Sequence, residues 1–294
     1  MRNVTFAATQ MACTADVEEN VSKAESLIRR AKAMGADVVL IQELFSYLYF
    51  CQIVDRSYLT MAQPEEGHPM LERMSSLAKE LEMVVIVTFF EQAGETRFNA
   101  GIVFDADGAN LGKYRKSHIP DDPGYYEKFY FSPGDTGFKV FDTRFGRFGL
   151  GICWDQWFPE CARSMAIQGA EALFYPTAIG TFAVPPEKVD GEPFDNRHWQ
   201  NVMLGHAAAN VVPVVASNRI GTELLGTTAM KFYGSSFICD QTGTIVEEMD
   251  TETEGVAVHT FDLDAIAYVR RTFPFYRDRR PELYGRLMTL DGKV

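Results

Sequence analysis

A cysteine, a carboxylate and an amine, each just after a strand pattern, are the residues of this sequence best suited to covalent chemistry. Cys153 follows the strand pattern of residues 147–152 and precedes the helix pattern that opens at Pro159. Such a turn exposes a side chain and aims a helix N-terminus at it, which favours the thiolate. An arbitrary cysteine is more often a small buried hydrophobe. Here Trp154, Asp155, Gln156 and Trp157 place polar and aromatic groups where a core position would be apolar. A thiol needs a base, since its ordinary pKa is near ~8.5. None of the five histidines, His68, His118, His198, His206 and His259, is marked out by its neighbours. Glu43 offers a carboxylate instead, at the end of Val38-Val39-Leu40-Ile41-Gln42, although a solvated strand end fits it equally well. Lys116, after another strand pattern, could hold an oxyanion. Composition alone favours a solvated basic turn for Tyr114-Arg115-Lys116-Ser117-His118.

The elements that must position these groups are legible as periodicities. Strand patterns cover residues 4–10, 37–42, 84–90, 99–104, 109–114, 138–141, 147–152, 172–175, 211–217, 234–239 and 255–261. The run at 37–42 is mostly apolar, as in a sheet covered by helices. Helical spacing follows Asp16-Val17-Glu18-Glu19, a capping box in which Glu19 is expected to reach back, and Gly35 closes that helix. Further helices are predicted over 68–82, 159–168 and 195–210. Residues 180–195 hold Pro185, Pro186, Gly191 and Pro193 and read as a loop; the arginine-rich stretch from Arg277 reads as extended. Met34-Gly35-Ala36-Asp37-Val38-Val39-Leu40 echoes Gln168-Gly169-Ala170-Glu171-Ala172-Leu173-Phe174. That echo marks either a pseudo-twofold pair of sheets or merely a common helix-to-strand joint. The alternation of helices and strands suggests an α-β-β-α sandwich of two mixed sheets flanked by helices.

Composition narrows the function. Among 294 residues, Lys plus Arg number 28 and Asp plus Glu 40, for a net charge of −12. That balance argues against nucleic-acid partners and anionic membranes, and mildly favours a cationic ligand. Five cysteines without CxxC spacing argue against a disulfide framework or zinc ribbon, and no metal or cofactor is expected. No phosphate loop, HExxH or GxSxG is present. The first residues lack a leader pattern and no apolar run reaches ~20 residues, so a cytoplasmic location is expected.

Three segments resemble the signatures of the nitrilase superfamily, the carbon–nitrogen hydrolases. They are Ile41-Gln42-Glu43-Leu44-Phe45, Tyr114-Arg115-Lys116-Ser117-His118-Ile119-Pro120, and Gly151-Ile152-Cys153-Trp154-Asp155-Gln156-Trp157-Phe158-Pro159-Glu160. Longer matches, including Pro123-Gly124-Tyr125-Tyr126-Glu127, Tyr175-Pro176-Thr177-Ala178-Ile179-Gly180 and Ala216-Ser217-Asn218-Arg219-Ile220-Gly221, resemble the branch that hydrolyses N-carbamoyl amines in polyamine biosynthesis. The resemblance spans nearly the whole chain and implies a single domain over 1–294, with a segment from about 277 at a subunit contact of a homo-oligomer. It implies that Cys153 attacks a ureido carbonyl, Glu43 is the base, Lys116 holds the oxyanion and Glu127 positions substrate or assists proton transfer. Trp154, Asp122, Thr177 and Asp195 are expected to bind substrate, a small ureido or amide compound. A cationic tail needs a carboxylate, to be sought among Asp121, Asp122, Glu187, Asp190, Glu192 and Asp195. The chain departs from the family pattern at Ser46, at 180–199 and at Phe273-Pro274-Phe275-Tyr276. A carbamoyl-amino-acid or β-ureidopropionate hydrolase, with Arg197 clamping a carboxylate, is the enzymatic alternative. A non-catalytic scaffold is the alternative of another class.

Overall fold

The apolar runs pair into two six-stranded mixed sheets in this computed structural model, which describes residues 1–191 and 195–293. In the first sheet β1 (Asn3–Gln10), β2 (Val38–Leu40) and β3 (Val84–Ala93) run parallel. β4 (Thr96–Phe104) and β5 (Asn110–Arg115) continue it antiparallel. In the second, β6 (Lys139–Asp142) is antiparallel to β7 (Arg147–Leu150), which runs parallel to β8 (Ala172–Pro176). A third, three-stranded sheet contains β9 (Gly180–Ala183). The second sheet goes on with parallel β10 (Val214–Ser217), while β11 (Thr222–Leu225) and β12 (Thr228–Phe232) complete the third. Antiparallel β13 (Phe237–Cys239) and β14 (Ile245–Glu248) end the second sheet, and β15 (Gly255–Asp262) closes the first against β1.

The two six-stranded sheets share one plan. Each has three parallel strands, two antiparallel strands on one side and one on the other. The echo in sequence therefore marks a pseudo-twofold pair of sheets. Gly35 and Gly169, at φ +91° and +96°, make the same left-handed exit from a helix into β2 and β8.

Strand period sets the layers. Phe6 and Ala8 point between the sheets, against Phe148, Phe174 and Val215, and Ala7 points the other way. That outer face of the first sheet is covered by α1 (Val17–Ala33) and α2 (Pro69–Leu81) through Leu27, Ile28, Met74 and Leu77. The short α3 (Glu127–Tyr130) lies in the loop after β5. α4 (Pro159–Ile167) and α5 (Asn196–Asn210) cover the second sheet through Cys161, Met165, Trp199 and Met203. The order is helix, sheet, sheet, helix, as expected. The last helix, α6 (Leu263–Thr272), buries Leu263 and Ile266 at the end of the sandwich. Among the described residues no helix is long and apolar enough to cross a membrane.

Some local expectations change. Asp16 caps α1 by accepting from the amides of Glu18 and Glu19, but Glu19 accepts from the Thr14 hydroxyl, and Thr14 rather than Glu19 serves the Asp16 amide. Residues 180–183 are strand β9 rather than loop; the prolines that follow hide a short strand whose partner, β12, lies far along the chain. From Pro281 the C-terminal stretch forms two short 3₁₀ turns instead of an extended segment. All five cysteines are buried and free.

Candidate active site

Glu43, Lys116, Glu127 and Cys153, far apart in sequence, converge at one end of the sandwich. Glu43 lies just past β2, where Leu44 takes a left-handed conformation at φ 49° and turns the chain. Lys116 follows β5, and its amide donates to the Asn99 carbonyl (2.9 Å) across the hairpin with β4. Gly134 packs directly on this segment, donating to the Lys116 carbonyl (2.8 Å). A Cβ there would lie 2.0 Å from the Arg115 carbonyl oxygen, so only glycine fits.

The Lys116 ammonium is fully buried and donates to Glu43 Oε1 (2.8 Å) and Glu127 Oε2 (2.6 Å). Asn99 Nδ2 also donates to Glu43 Oε1 (2.7 Å), and the Tyr49 hydroxyl to Glu127 Oε1 (2.6 Å). Glu43 Oε2 is buried and accepts no hydrogen bond. It is the one carboxylate oxygen of the pair left to take a proton. Burial works against the Lys116 charge, but Glu127 and Glu43 outweigh it and hold the amine well above its ordinary pKa. Burial pushes Glu127 up to about 7, with Glu43 adding repulsion and Lys116 opposing.

Cys153 opens a 3₁₀ turn, Cys153–Trp157, at φ 43°. Its Sγ lies 4.0 Å from the Ala178 carbonyl oxygen. Burial and the Glu43 charge push its thiol well above the ordinary range, with Lys116 only partly offsetting them. The expectation that a helix N-terminus favours a resting thiolate is thus corrected: burial dominates, and the thiol is the resting form. The strained turn is pinned by Asp155. Its Oδ2 accepts from the Ile152 amide (2.9 Å) and the Tyr114 hydroxyl (2.7 Å). Its Oδ1 accepts from the His118 amide (3.0 Å) and lies 2.7 Å from His118 Nδ1. One buried carboxylate therefore ties the Cys153 turn to the strand and loop that carry Lys116. The His118 ring stacks on Phe158 at 3.7 Å, consistent with a structural role. His206 supports the same turn through the Gln156 carbonyl (2.8 Å).

A cleft of about 160 Å³ opens onto Cys153, with Asp122, Tyr125, Trp154, Ile179 and Tyr233 among its walls. Trp154 is 37 % exposed there, and Asp122 is exposed at the rim. The Tyr125 hydroxyl donates to the Gly180 carbonyl (2.7 Å) and accepts from its amide (2.9 Å), joining the wall to β9. Thr177 is placed elsewhere, buried behind the cleft with its hydroxyl on Gln156 Oε1 (3.0 Å). Asp195 caps α5, accepting from the His198 amide (3.0 Å). Asp190 pairs with Lys231 (2.6 Å), Asp121 and Glu187 face solvent, and Glu192 lies outside the described residues. Arg197 is exposed and not part of the cleft wall. Asn99, Tyr49 and Asp155 are the groups that sequence reasoning gives no role; the only signal for Asn99 is an amide at the head of an apolar run.

A buried thiol beside a carboxylate with a free oxygen and an ammonium is equipped for nucleophilic attack on a carbonyl, with proton transfer and oxyanion stabilisation at hand. No group of metal-ligating side chains occurs among the described residues. The carbon–nitrogen hydrolase profile matches residues 5–271. The chain is 53 % identical to N-carbamoylputrescine amidase of Arabidopsis thaliana, over 100 % of this chain and 98 % of that protein. It is 45 % identical to citrullinase of Francisella tularensis, over 98 % and 99 %. The crystal structure of a carbon–nitrogen hydrolase from Helicobacter pylori G27 superposes with a TM-score of 0.90 at 36 % identity, covering 98 % of this chain and 99 % of that one. This chain belongs to the carbon–nitrogen hydrolase family of the nitrilase superfamily.

Proposed function

We propose that the protein hydrolyses N-carbamoylputrescine, or a close N-carbamoyl amine with a cationic tail, to the free amine, carbon dioxide and ammonia. The observation that carries the substrate class is the cleft wall: among the described residues Asp122 is its carboxylate, and no lysine or arginine lines it. A distal ammonium finds a partner there, whereas the carboxylate of a carbamoyl amino acid does not. The relatives named N-carbamoylputrescine amidase, 53 % to 55 % identical, support the same reading.

In this mechanism Cys153 Sγ attacks the ureido carbonyl while Glu43 Oε2 takes the thiol proton. Lys116, with the Trp154 amide, holds the oxyanion. The carbon–nitrogen bond to the tail breaks, Glu43 returns the proton to the leaving amine, and a carbamoyl thioester remains. Glu43 then draws a proton from water, whose oxygen attacks the thioester and releases the thiol and carbamate. Carbamate yields carbon dioxide and ammonia. Glu127 and Asn99 fix Lys116 and Glu43, while Trp154 and Asp122 hold the substrate. Thr177 and Asp195 act through the backbone around the cleft.

Residues 1–294 work as one domain in this reading, because Glu43 and Lys116 come from the first sheet and Cys153 from the second. Copies of the chain associate through the C-terminal segment, whose Leu283, Leu287 and Met288 stand exposed. A cytoplasmic enzyme fits the reduced cysteines.

The test is a comparison of kcat/KM for N-carbamoylputrescine, citrulline and β-ureidopropionate, in the wild type and in Asp122→Asn. The cationic substrate is expected to be preferred. Its KM should rise about tenfold in Asp122→Asn with kcat little changed, as for loss of a charge-assisted contact. Preference for the carboxylated substrates, or an unchanged KM, contradicts the reading.

A further inference from the structure

A cavity of about 760 Å³ has no part in this chemistry. It lies at the opposite end of β7 from Cys153: Arg147 begins that strand, and Glu171 precedes β8. Six arginines line it, Arg2, Arg144, Arg147, Arg270, Arg271 and Arg279, against the single carboxylate of Glu171. In a chain of net charge −12 this is a concentrated reversal of sign.

Glu171 does not neutralise the group. It is taken up by the Arg2 guanidinium (3.2 Å to Oε2, with a second, shorter contact) and by the Arg147 amide (3.0 Å). Arg147 pairs with Asp142 (2.6 Å), and Arg144 is a loose 3.9 Å from Glu82. Arg270 is held rigidly, but by neutral acceptors: the Ala170 carbonyl (2.8 Å), the Ala166 carbonyl (3.2 Å) and the Tyr276 hydroxyl (3.1 Å). Arg271 and Arg279 have no carboxylate partner among the described residues. Like charges converging in a concave, partly apolar site repel one another, and a bound anion relieves that repulsion. Guanidinium groups offer planar forks that match phosphate oxygens two at a time. The volume is that of a small-molecule site, larger than one phosphate requires.

We propose that this arginine-lined cavity between α6, the end of α4 and the start of β7 binds a small organic phosphate carrying more than one phosphate charge. Arg270, fixed by backbone carbonyls, is the preformed anchor; Arg271, Arg279 and Arg144 supply the uncompensated charge.

Titration calorimetry of the full chain at low salt tests this, with adenosine triphosphate, inorganic pyrophosphate, inorganic phosphate and adenosine as probes. Triphosphate is expected to bind, adenosine not to bind, and inorganic phosphate to bind more weakly than pyrophosphate. Stronger binding of triphosphate than of pyrophosphate assigns an organic ligand; equal binding overturns that part of the proposal and leaves the site to inorganic polyphosphate. Arg271→Ala with Arg279→Ala should weaken triphosphate binding at least tenfold, while hydrolysis of N-carbamoylputrescine continues and reports that the chain is folded. Arg144→Ala should weaken it by a smaller factor. Absence of binding at millimolar concentration, or binding unchanged in the double variant, overturns the proposal. So does a double variant that alters only the sedimentation behaviour, since this face would then be a contact between copies.

Discussion

Lys116 sits between two carboxylates, and this arrangement sets the protonation of the whole site. Glu127 titrates at about 7 when folded against an ordinary value of 4.5, mainly because burial disfavours its charge. Its folded pKa is raised, so the folded chain keeps a proton that the unfolded chain has lost. Its contribution to stability is complete below about pH 4.5 and disappears as pH rises through about 7. Denaturant unfolding across that window should show a decline of up to about 3 kcal/mol, flattened in Glu127→Gln. An identical slope in the variant contradicts this assignment. Glu43, Lys116 and Cys153 are readable in sequence through the family signatures around them; their place after a strand pattern alone leaves Glu43 and Lys116 equally well or better read as solvated groups. Asn99, Tyr49 and Asp155 are not readable. Their partners lie 56, 78 and 41 residues away, and nothing local distinguishes them from an ordinary buried amide, phenol or helix-start acid.

At the scale of elements, loops after strands carry the reactive groups, and buried ions fix the loops. Arg219, just after β10, donates to the carbonyls of Glu43 (2.9 Å), Leu44 (2.8 Å) and Tyr47 (2.8 Å) and pairs with Glu223 (2.7 Å). Glu223 in turn accepts from the Tyr49 amide (2.5 Å). This one side chain therefore clamps the loop that holds Glu43 and Tyr49, including the left-handed Leu44. Arg219→Ala should cost about 3–5 kcal/mol, because it strands Glu223 as a buried charge and leaves the carbonyls of Glu43 and Tyr47 unpaired. In the fraction that stays folded, kcat should fall more than KM rises. Arg219→Lys should rescue little, since an ammonium cannot span four acceptors in a fixed fork. Thermal denaturation with parallel kinetics checks both, and a variant as stable and active as wild type contradicts the clamp. Helix α6 is not among the predicted helices, whereas α1, α2, α4 and α5 and the long strands are legible from periodicity. β9, β11 and β12 are less so, because four or five residues near glycine and proline carry too little pattern.

At the scale of the molecule, the sandwich works because the central strands β2, β8 and β10 are buried on both faces. Phe6 meets Phe148 and Phe174 edge-on, each with ring centroids 5.4 Å apart, where the two sheets touch. Phe6→Ala should destabilise by about 3–5 kcal/mol, measured by chemical denaturation. A loss below about 1 kcal/mol would mean the sheets close over the gap. The repeated strand plan explains why the Gly-Ala-acid echo is visible in sequence. The exact facing of the two sheets is not visible there, since it depends on contacts between residues more than 140 apart, such as Phe6 and Phe148. The net charge of −12 is likewise silent on where charge acts: one carboxylate rims the candidate active site, while arginines gather at the other end.

Release of putrescine and ammonia from N-carbamoylputrescine by the purified protein, set beside Cys153→Ala, tests the central claim most directly. The account predicts equimolar products from the wild type and a loss of at least about 10⁴-fold in kcat/KM for the folded variant. No product from the wild type, or undiminished turnover in Cys153→Ala, would contradict it.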